Sequence, residues 1–258
     1  MSAVLHAPVR RTPWLVRRVQ PAARQRLFCF AYAGGSAAVY AQWQAALGGE
    51  VEVCAIQLPG RGGRMGEPSL RALGAVVKAI AAAVAAESDL PFSFFGHSLG
   101  ALLAFEVARY CAAHGLAQPR KLIVSGSEAP AVRSHGRGLH LLPDEELTAR
   151  LRDYNGTPPA VLENRELMEL LLPMLRADFE LVHQYQYRAA PPLGMPLLAL
   201  AGTRDPYGQE ARVAPWLRSG ELVFHEDIVQ GLDNAPSALI GMMKGEAIGK
   251  RLVQVGPA

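Results

Sequence analysis

Short apolar runs alternate with helical patterns along most of this chain, and this alternation restricts the folds that are open to it. Such an order is typical of a mainly parallel sheet covered by helices on both faces. The strands that we predict are Leu27–Ala31, Val51–Ile56, Phe92–Phe95, Lys121–Ser125, Pro196–Ala201 and Glu221–His225. The sequence therefore predicts the α/β class.

Two long helical patterns connect these strands, and a third region interrupts them. Arg71–Ala86 is alanine-rich and periodic, and Ala101–His114 ends at a glycine that can stop a helix. From about residue 128 to about residue 190 we find amphipathic helical segments and no strand, which predicts a helical lid. Its apolar residues should mostly pack against the sheet, while some line an acyl pocket. They are Met168, Leu171, Leu172, Met174, Leu175 and Phe179.

Length, composition and charge argue against a nucleic-acid-binding protein and against a membrane protein. The chain has 258 residues, half of them apolar, and a net charge of +3, which is too small to predict a nucleic-acid partner. No apolar stretch is long enough for a membrane span or resembles a signal peptide. The three cysteines lack metal-ligand spacing, which indicates reduced thiols in a cytoplasmic protein without a metal or redox cofactor.

Arginines are concentrated near the N-terminus, without an acidic residue before Glu50. We interpret residues 1–25 as a solvated basic arm, with a face for an acidic partner as the alternative. The arginines are Arg10, Arg11, Arg17, Arg18, Arg24 and Arg26.

The pentapeptide Gly96-His-Ser-Leu-Gly100 lies between a predicted strand and a predicted helix. In that context G-x-S-x-G forms a sharp turn that exposes the serine, here Ser98, as a nucleophile. The flanking glycines allow backbone and helix to approach closely. The helix start presents the Leu99 amide to a developing oxyanion, and the glycine pair in Phe30–Ser36 could supply a second amide.

Four segments carry a resemblance to a known family: "LFCFAYAGGSAAVYAQWQAAL", "VEVCAIQLPGRGGRMGEP", "FFGHSLGALLAFEVAR" and "LLLPMLRADFELVHQYQYRAAPPLGMPLLALAGTRDP". In this order, from about Trp14 to Trp216, the chain resembles type II thioesterases of polyketide and non-ribosomal peptide synthesis. The resemblance implies an α/β-hydrolase fold over residues 26–219 with the lid at about 128–190. It also implies Ser98 as nucleophile and the Ala33 and Leu99 amides as the oxyanion hole.

Asp205 is the predicted acid of a catalytic triad. It matches the family's acid in "GTRDP", and independently it follows a buried strand and comes after the serine in chain order. Glu128, after the strand Lys121–Ser125, is the rival position, and we prefer Asp205.

The C-terminal part of the chain departs from the family, which has a catalytic histidine in a glycine-rich turn there. Residues 220–258 instead resemble the tail of medium-chain NADP-dependent reductases, although no G-x-G-x-x-G follows any strand. Of the seven histidines, only His225 follows both the serine and the acid, so it is the candidate base. The other six are His6, His97, His114, His135, His140 and His183.

Two functions are the main candidates at this point. The first is a monomeric serine thioesterase that releases acyl groups from the phosphopantetheine arm of carrier proteins. The second is an inert acyl or carrier-protein binding module that lacks the catalytic histidine. A general carboxylesterase, against which the resemblance argues, and a reductase, which would have to bind NADPH, are further alternatives. An acidic carrier protein would favour a positive rim, for which Arg61, Arg64 and the N-terminal arginines are candidates.

Overall fold

The computed structural model describes residues 12–133, 138–153, 157–200 and 216, together with the backbone of residues 226–230 and 250–254. The strands are β1 (Leu15–Arg17), β2 (Gln25–Phe30), β3 (Val51–Ile56), β4 (Phe92–His97), β5 (Leu122–Ser125), β6 (Leu197–Leu200), β7 (Glu226–Gln230) and β8 (Lys250–Gln254). The helices are α1 (Trp43–Leu47), α2 (Leu73–Ala85), α3 (Leu99–Ala113), α4 (Asp144–Asp153), α5 (Pro159–Leu162) and α6 (Arg165–His183).

Six of the described strands form one sheet in the order β1-β3-β2-β4-β5-β6. All neighbours are parallel except β1, which runs antiparallel to β3. Phe28 of β2 lies opposite Cys54 on one side and Phe94 on the other. The expected mainly parallel sheet is confirmed, and five of the six predicted strands match to within two residues at each end.

Side chains alternate between the two faces of the sheet, and helices cover both. Phe28 and Phe30 of β2 belong to a core cluster with residues of α2 and α3. Leu27 and Cys29 of the same strand face the other way, into a cluster that includes Leu47 of α1 and Tyr40 from the turn before it. This period of two explains why residues 27–30 of β2 are all apolar, since both faces of the strand are covered there.

Strand β1 changes the interpretation of the N-terminal arginines. It lies within the segment assigned to the arm, and it places Arg17 at the edge of the sheet. Arg17 and Arg26 are buried and both bind the carboxylate of Glu52, with Arg26 Nε 2.9 Å from Glu52 Oε1. Arg17 also bonds Glu87 at 2.8 Å. The expectation of solvated arginines is therefore wrong for these two, because β1 and three carboxylates enclose them: Glu52, Glu87 and, for Arg26, Asp89.

The insert between β5 and β6 is helical, as predicted. The longest helix, α6, begins after Asn164, whose side chain accepts a bond from the Leu167 amide at 3.1 Å. Its apolar residues were expected to pack on the sheet, but Met168, Leu172 and Leu175 pack mainly with α4 and α5 in a cluster of their own. The insert therefore has its own small core above the carboxyl edge of the sheet.

The C-terminal segment contributes a separate parallel pair, β7 and β8, with Glu226 opposite Lys250. The predicted strand Glu221–His225 lies outside the described residues, and β7 follows it directly. Among the helices of the described residues, none has both the length and the apolarity of a bilayer span.

Glu52 should make a large contribution to stability. Replacing it with Gln leaves two buried guanidinium groups without their shared carboxylate, so we expect a loss of about 3–5 kcal/mol in the free energy of unfolding at pH 7. Glu50→Gln is the matched control, because Glu50 pairs with Arg24 at an exposed site and should matter by less than about 1 kcal/mol. Urea denaturation measures both.

The same comparison has a pH dependence. Burial by itself raises the pKa of the Glu52 carboxyl, but bonds from the Gln20 amide and the two guanidinium groups more than offset this, so the pKa is lowered. Stability from this carboxylate is therefore full above its pKa in the unfolded chain and is lost as pH falls through the lower folded value. The gap between wild type and Glu52→Gln should close in acid, and a constant gap would contradict this assignment.

Candidate active site

Ser98 occupies the turn between β4 and α3 in a strained conformation. Its backbone has φ 55° and ψ −113°, and it is the one non-glycine residue with positive φ among the described residues. The Ser98 amide donates a bond to the carbonyl of Ser125 at 2.8 Å, which joins the turn to the end of β5. The side chain is partly exposed. A hydroxyl held in this way is accessible to a substrate.

Close backbone contacts explain the two glycines that flank the turn. A Cβ at Gly96 would lie 2.2 Å from the Gly100 carbonyl oxygen, and a Cβ at Gly100 would lie 2.0 Å from the Phe30 carbonyl oxygen. Both distances are far inside van der Waals contact. The first turn of α3 therefore packs directly on the ends of β2 and β4, which only glycine permits.

Two backbone amides at this edge are available to an oxyanion. The Leu99 amide is at the start of α3, where helix amides have no partner within the helix. The Ala33 amide is in the loop after β2, which pairs with β4 so that Phe30 lies opposite Gly96. Neither amide donates a hydrogen bond within the described part of the chain. Because adjacent parallel strands end at the same edge, both amides lie beside the serine turn.

The lid helix contacts the loop that carries Ala33, which we call the oxyanion loop and define as residues 31–36. Asp178 of α6 accepts a bond from the Gly34 amide at 2.8 Å. The same carboxylate binds Arg61, from the loop after β3, through two bonds of 2.6 and 2.7 Å. Arg61 in turn donates to the Gly35 carbonyl at 3.3 Å. The insert is thus attached directly to the site.

Comparison with known proteins gives the family. Residues 25–233 match the thioesterase domain family. The chain belongs to the thioesterase family. It is 40% identical over 222 residues to linear gramicidin dehydrogenase LgrE of Brevibacillus parabrevis, covering 84% of each chain. It is 43% identical over 193 residues to the gramicidin S biosynthesis protein GrsT of Aneurinibacillus migulanus, covering 74% of this chain and 75% of GrsT.

A solved structure agrees with the fold. The type II thioesterase BorB from the borrelidin biosynthetic cluster superimposes with a TM-score of 0.81 at 33% identity, covering 93% of this chain and 98% of BorB. The fold is therefore the α/β-hydrolase fold that the sequence resemblance implied.

The family match also continues past residue 220, where we placed the start of a reductase-like tail, and ends at residue 233.

The structure corrects the proposed positive rim of this thioesterase. Arg61 is 3% exposed and Arg64 is 8% exposed, so neither can present its charge to a partner. Arg64 binds Glu67 through two bonds of 2.9 and 2.5 Å and stacks 4.4 Å from the ring centroid of Trp14. Both arginines were expected at the surface because the sequence gives no sign of their partners.

The cysteines of the thioesterase are poor candidates for a nucleophile. Cys29, Cys54 and Cys111 are buried and free, as expected. Burial raises the pKa of all three thiols, to about 12 for Cys54 and to about 11 for Cys111. Thiols with such pKa values are protonated at neutral pH, whereas thiolates are the reactive form. Ser98 is therefore the better nucleophile candidate.

The predicted acid and base, Asp205 and His225, lie outside the described residues and stay predictions. The rival acid, Glu128, is buried after β5. Near it, burial lowers the pKa of the Arg133 guanidinium, an effect that the Glu128 charge opposes. Trp216, between the predicted acid and base in the sequence, is fully buried and donates to the Ser127 carbonyl at 3.0 Å. The chain thus returns to the sheet at the end of β5.

Four histidines are among the described residues, and each has contacts that identify its surroundings. The ring of His97 points to Ser125, with Nδ1 3.1 Å from the hydroxyl, as expected for a residue that is not the base. His114 stacks on Tyr110 at the end of α3. His140 and His183 lie together in the lid, 4.8 Å between ring centroids. Burial and the His183 charge lower the pKa of His140.

Gly100→Ala should disrupt the serine turn. The added methyl would collide with the Phe30 carbonyl, so we expect loss of activity together with destabilisation of about 2 kcal/mol or more. Gly74→Ala is the matched control, because a Cβ there meets no atom within 4 Å and alanine favours helix α2. Thermal melting and labelling of Ser98 would measure both, and a Gly100→Ala protein that melts and labels normally would contradict this packing.

Proposed function

We propose that this chain is a type II, editing thioesterase that hydrolyses acyl thioesters on the phosphopantetheine arm of carrier proteins. The observation that carries the proposal is the serine turn itself. Ser98 is held in a strained, accessible conformation, beside two amides without partners among the described residues. Such an arrangement supports acyl transfer, because the amides stabilise negative charge that develops on the carbonyl oxygen.

The first half of the reaction forms an acyl-enzyme. Ser98 Oγ attacks the thioester carbonyl carbon while the His225 imidazole, oriented by Asp205, accepts the hydroxyl proton. The Leu99 and Ala33 amides hold the oxyanion of the tetrahedral intermediate. When the intermediate collapses, the C–S bond breaks and the imidazolium proton passes to the sulfur, so the carrier arm leaves as a free thiol.

The second half restores the serine. A water molecule attacks the ester carbonyl of the acyl-enzyme, and the imidazole takes the proton of that water. The same two amides hold the second oxyanion. Collapse breaks the bond to Ser98 Oγ, which regains its proton, and the free carboxylic acid is released. The reaction needs no metal or redox cofactor.

The relatives support hydrolysis over the inert binding module. BorB is a type II thioesterase, and this chain covers nearly all of it. GrsT belongs to gramicidin S biosynthesis, which fits an editing role beside a peptide synthetase.

LgrE carries the name of a dehydrogenase, but no G-x-G-x-x-G motif occurs in this chain. We expect a titration with NADPH to give no binding.

Ser98→Ala and His225→Ala should each lower the turnover of an acyl-N-acetylcysteamine thioester by about 10⁴–10⁶-fold, because the triad acts as a unit. Both should also lose labelling by a fluorophosphonate probe. Wild-type kcat/KM should fall as the pH drops below about 6.5, the ordinary pKa of an imidazole, since the base must be neutral.

His114→Ala is the matched control, because His114 is exposed at the end of α3 and stacks on Tyr110. It should keep wild-type turnover. Full activity in His225→Ala would remove His225 from the triad. Folded wild-type protein that neither reacts with the probe nor hydrolyses thioesters would favour the binding module.

A further inference from the structure

Asp178 connects the lid helix to the site through three hydrogen bonds. One oxygen of its carboxylate accepts from the Gly34 amide and from Arg61, and the other accepts from Arg61 as well. We call this arrangement, Asp178 with Arg61 and Gly34, the lid clamp. Both charged residues are almost completely buried: Asp178 is 1% exposed and Arg61 is 3% exposed.

The lid clamp occupies the amide of the oxyanion loop that lies next to Ala33. Asp178 occupies the Gly34 amide, and the Gly35 amide closes a turn on the Tyr32 carbonyl at 2.9 Å. Beyond the loop, Ala38 donates to the Ser36 hydroxyl and Ala37 to the Gln57 side chain. The Ala33 amide, next to Gly34, is among the loop amides that have no partner within the described part of the chain.

Steric contacts add to the hydrogen bonds. Gly34 has φ 82°, which favours glycine, and a Cβ there would lie 2.7 Å from Leu175 of the same lid helix. One turn of α6 thus presses an apolar side chain and a carboxylate against the same glycine. The residue next to Ala33 is therefore in contact with α6 through both a side chain and a hydrogen bond.

We propose that Asp178 is a positioning residue for catalysis, which holds the oxyanion loop so that the Ala33 amide faces the reacting carbonyl. The inference rests on the proposed thioesterase function. A buried ion pair is weak support for stability, since apolar residues of similar size often serve as well. The bond to a loop amide, in contrast, cannot be supplied by an apolar side chain.

The test separates positioning from stability with two variants. Asp178→Asn keeps the shape of the side chain and removes its charge. The double variant Asp178→Leu/Arg61→Met removes both charges together, so its melting temperature should lie near that of wild type. The Gly34 amide nevertheless has no acceptor in the double variant. For the double variant we expect kcat to fall about 10²-fold, as for a misplaced catalytic group, while KM changes little.

Glu180→Gln is the matched control on the same helix. Glu180 pairs with Arg71 near the surface and has no bond to the oxyanion loop. This variant should keep the wild-type kcat and the wild-type rate of Ser98 labelling by a fluorophosphonate. A loss equal to that of the double variant would show a general effect of lid charges and would overturn the proposal.

Hydrogen exchange of the peptide that contains Gly34 gives a readout that does not depend on activity. It should be faster in the double variant than in wild type and unchanged in Glu180→Gln, whereas Asp178→Asn keeps an oxygen that can accept from the Gly34 amide. A double variant with wild-type kcat, or with unchanged exchange, would overturn the positioning role. If wild type hydrolyses no thioester, the proposed function fails, while the exchange result still decides whether Asp178 orders the loop.

Discussion

The close approach of helix α3 to strand β2 is the constraint on which the site depends. The Gly100 backbone lies against the Phe30 carbonyl, where no side chain fits. This contact brings the start of the helix to the end of the strand that leads into the oxyanion loop. Ser98 must then turn sharply between β4 and α3, and its positive φ is the result. Ser98 and the Leu99 amide are thus placed by backbone packing, before any side chain contributes.

Buried arginines organise two other parts of the molecule. Arg17 of β1 and Arg26 of β2 both bind Glu52 of β3, so this buried charge cluster joins the three strands. Arg61 shares Asp178 with a backbone amide at the opposite, carboxyl edge. Desolvating such charges is costly, and each is stabilised only because its partners are also fixed. The first cluster holds the edge strand β1 on the sheet, whereas the second attaches the helical insert to the site.

Much of the fold could be predicted from the sequence because both faces of the sheet are covered. Strands such as β6 are then continuous apolar runs, and the serine pentapeptide shows where a strand meets a helix. β1 was missed because it has three residues and carries an arginine, Arg17, whose partner is distant in sequence. The same reason applies to Arg61. A charged residue looks solvated until the carboxylate that neutralises it, 117 positions away, is known.

The site was predictable only where its geometry is local. Ser98 and Leu99 follow from one pentapeptide. The role of Asp178 follows from contacts between three separate segments, and the only sequence signal was the family-like stretch "RADF" that contains it. Asp205 rests on chain order and on the resemblance, whereas His225 rests on chain order alone. Chain order is informative because residues after successive parallel strands meet at one edge, but it does not choose between two residues that follow different strands, as with Glu128 and Asp205.

The strain at Ser98 bears on the choice between an enzyme and a binding module. A non-glycine residue at such a φ costs about 1–3 kcal/mol, and it persists only where the surroundings enforce it. A module that merely bound acyl chains would gain nothing from a strained serine beside two open amides, and an unstrained residue would stabilise the turn. An oxyanion hole with bound substrate retains about 10³–10⁴-fold catalysis over water even without the triad. The strained serine turn is therefore best explained by acyl transfer.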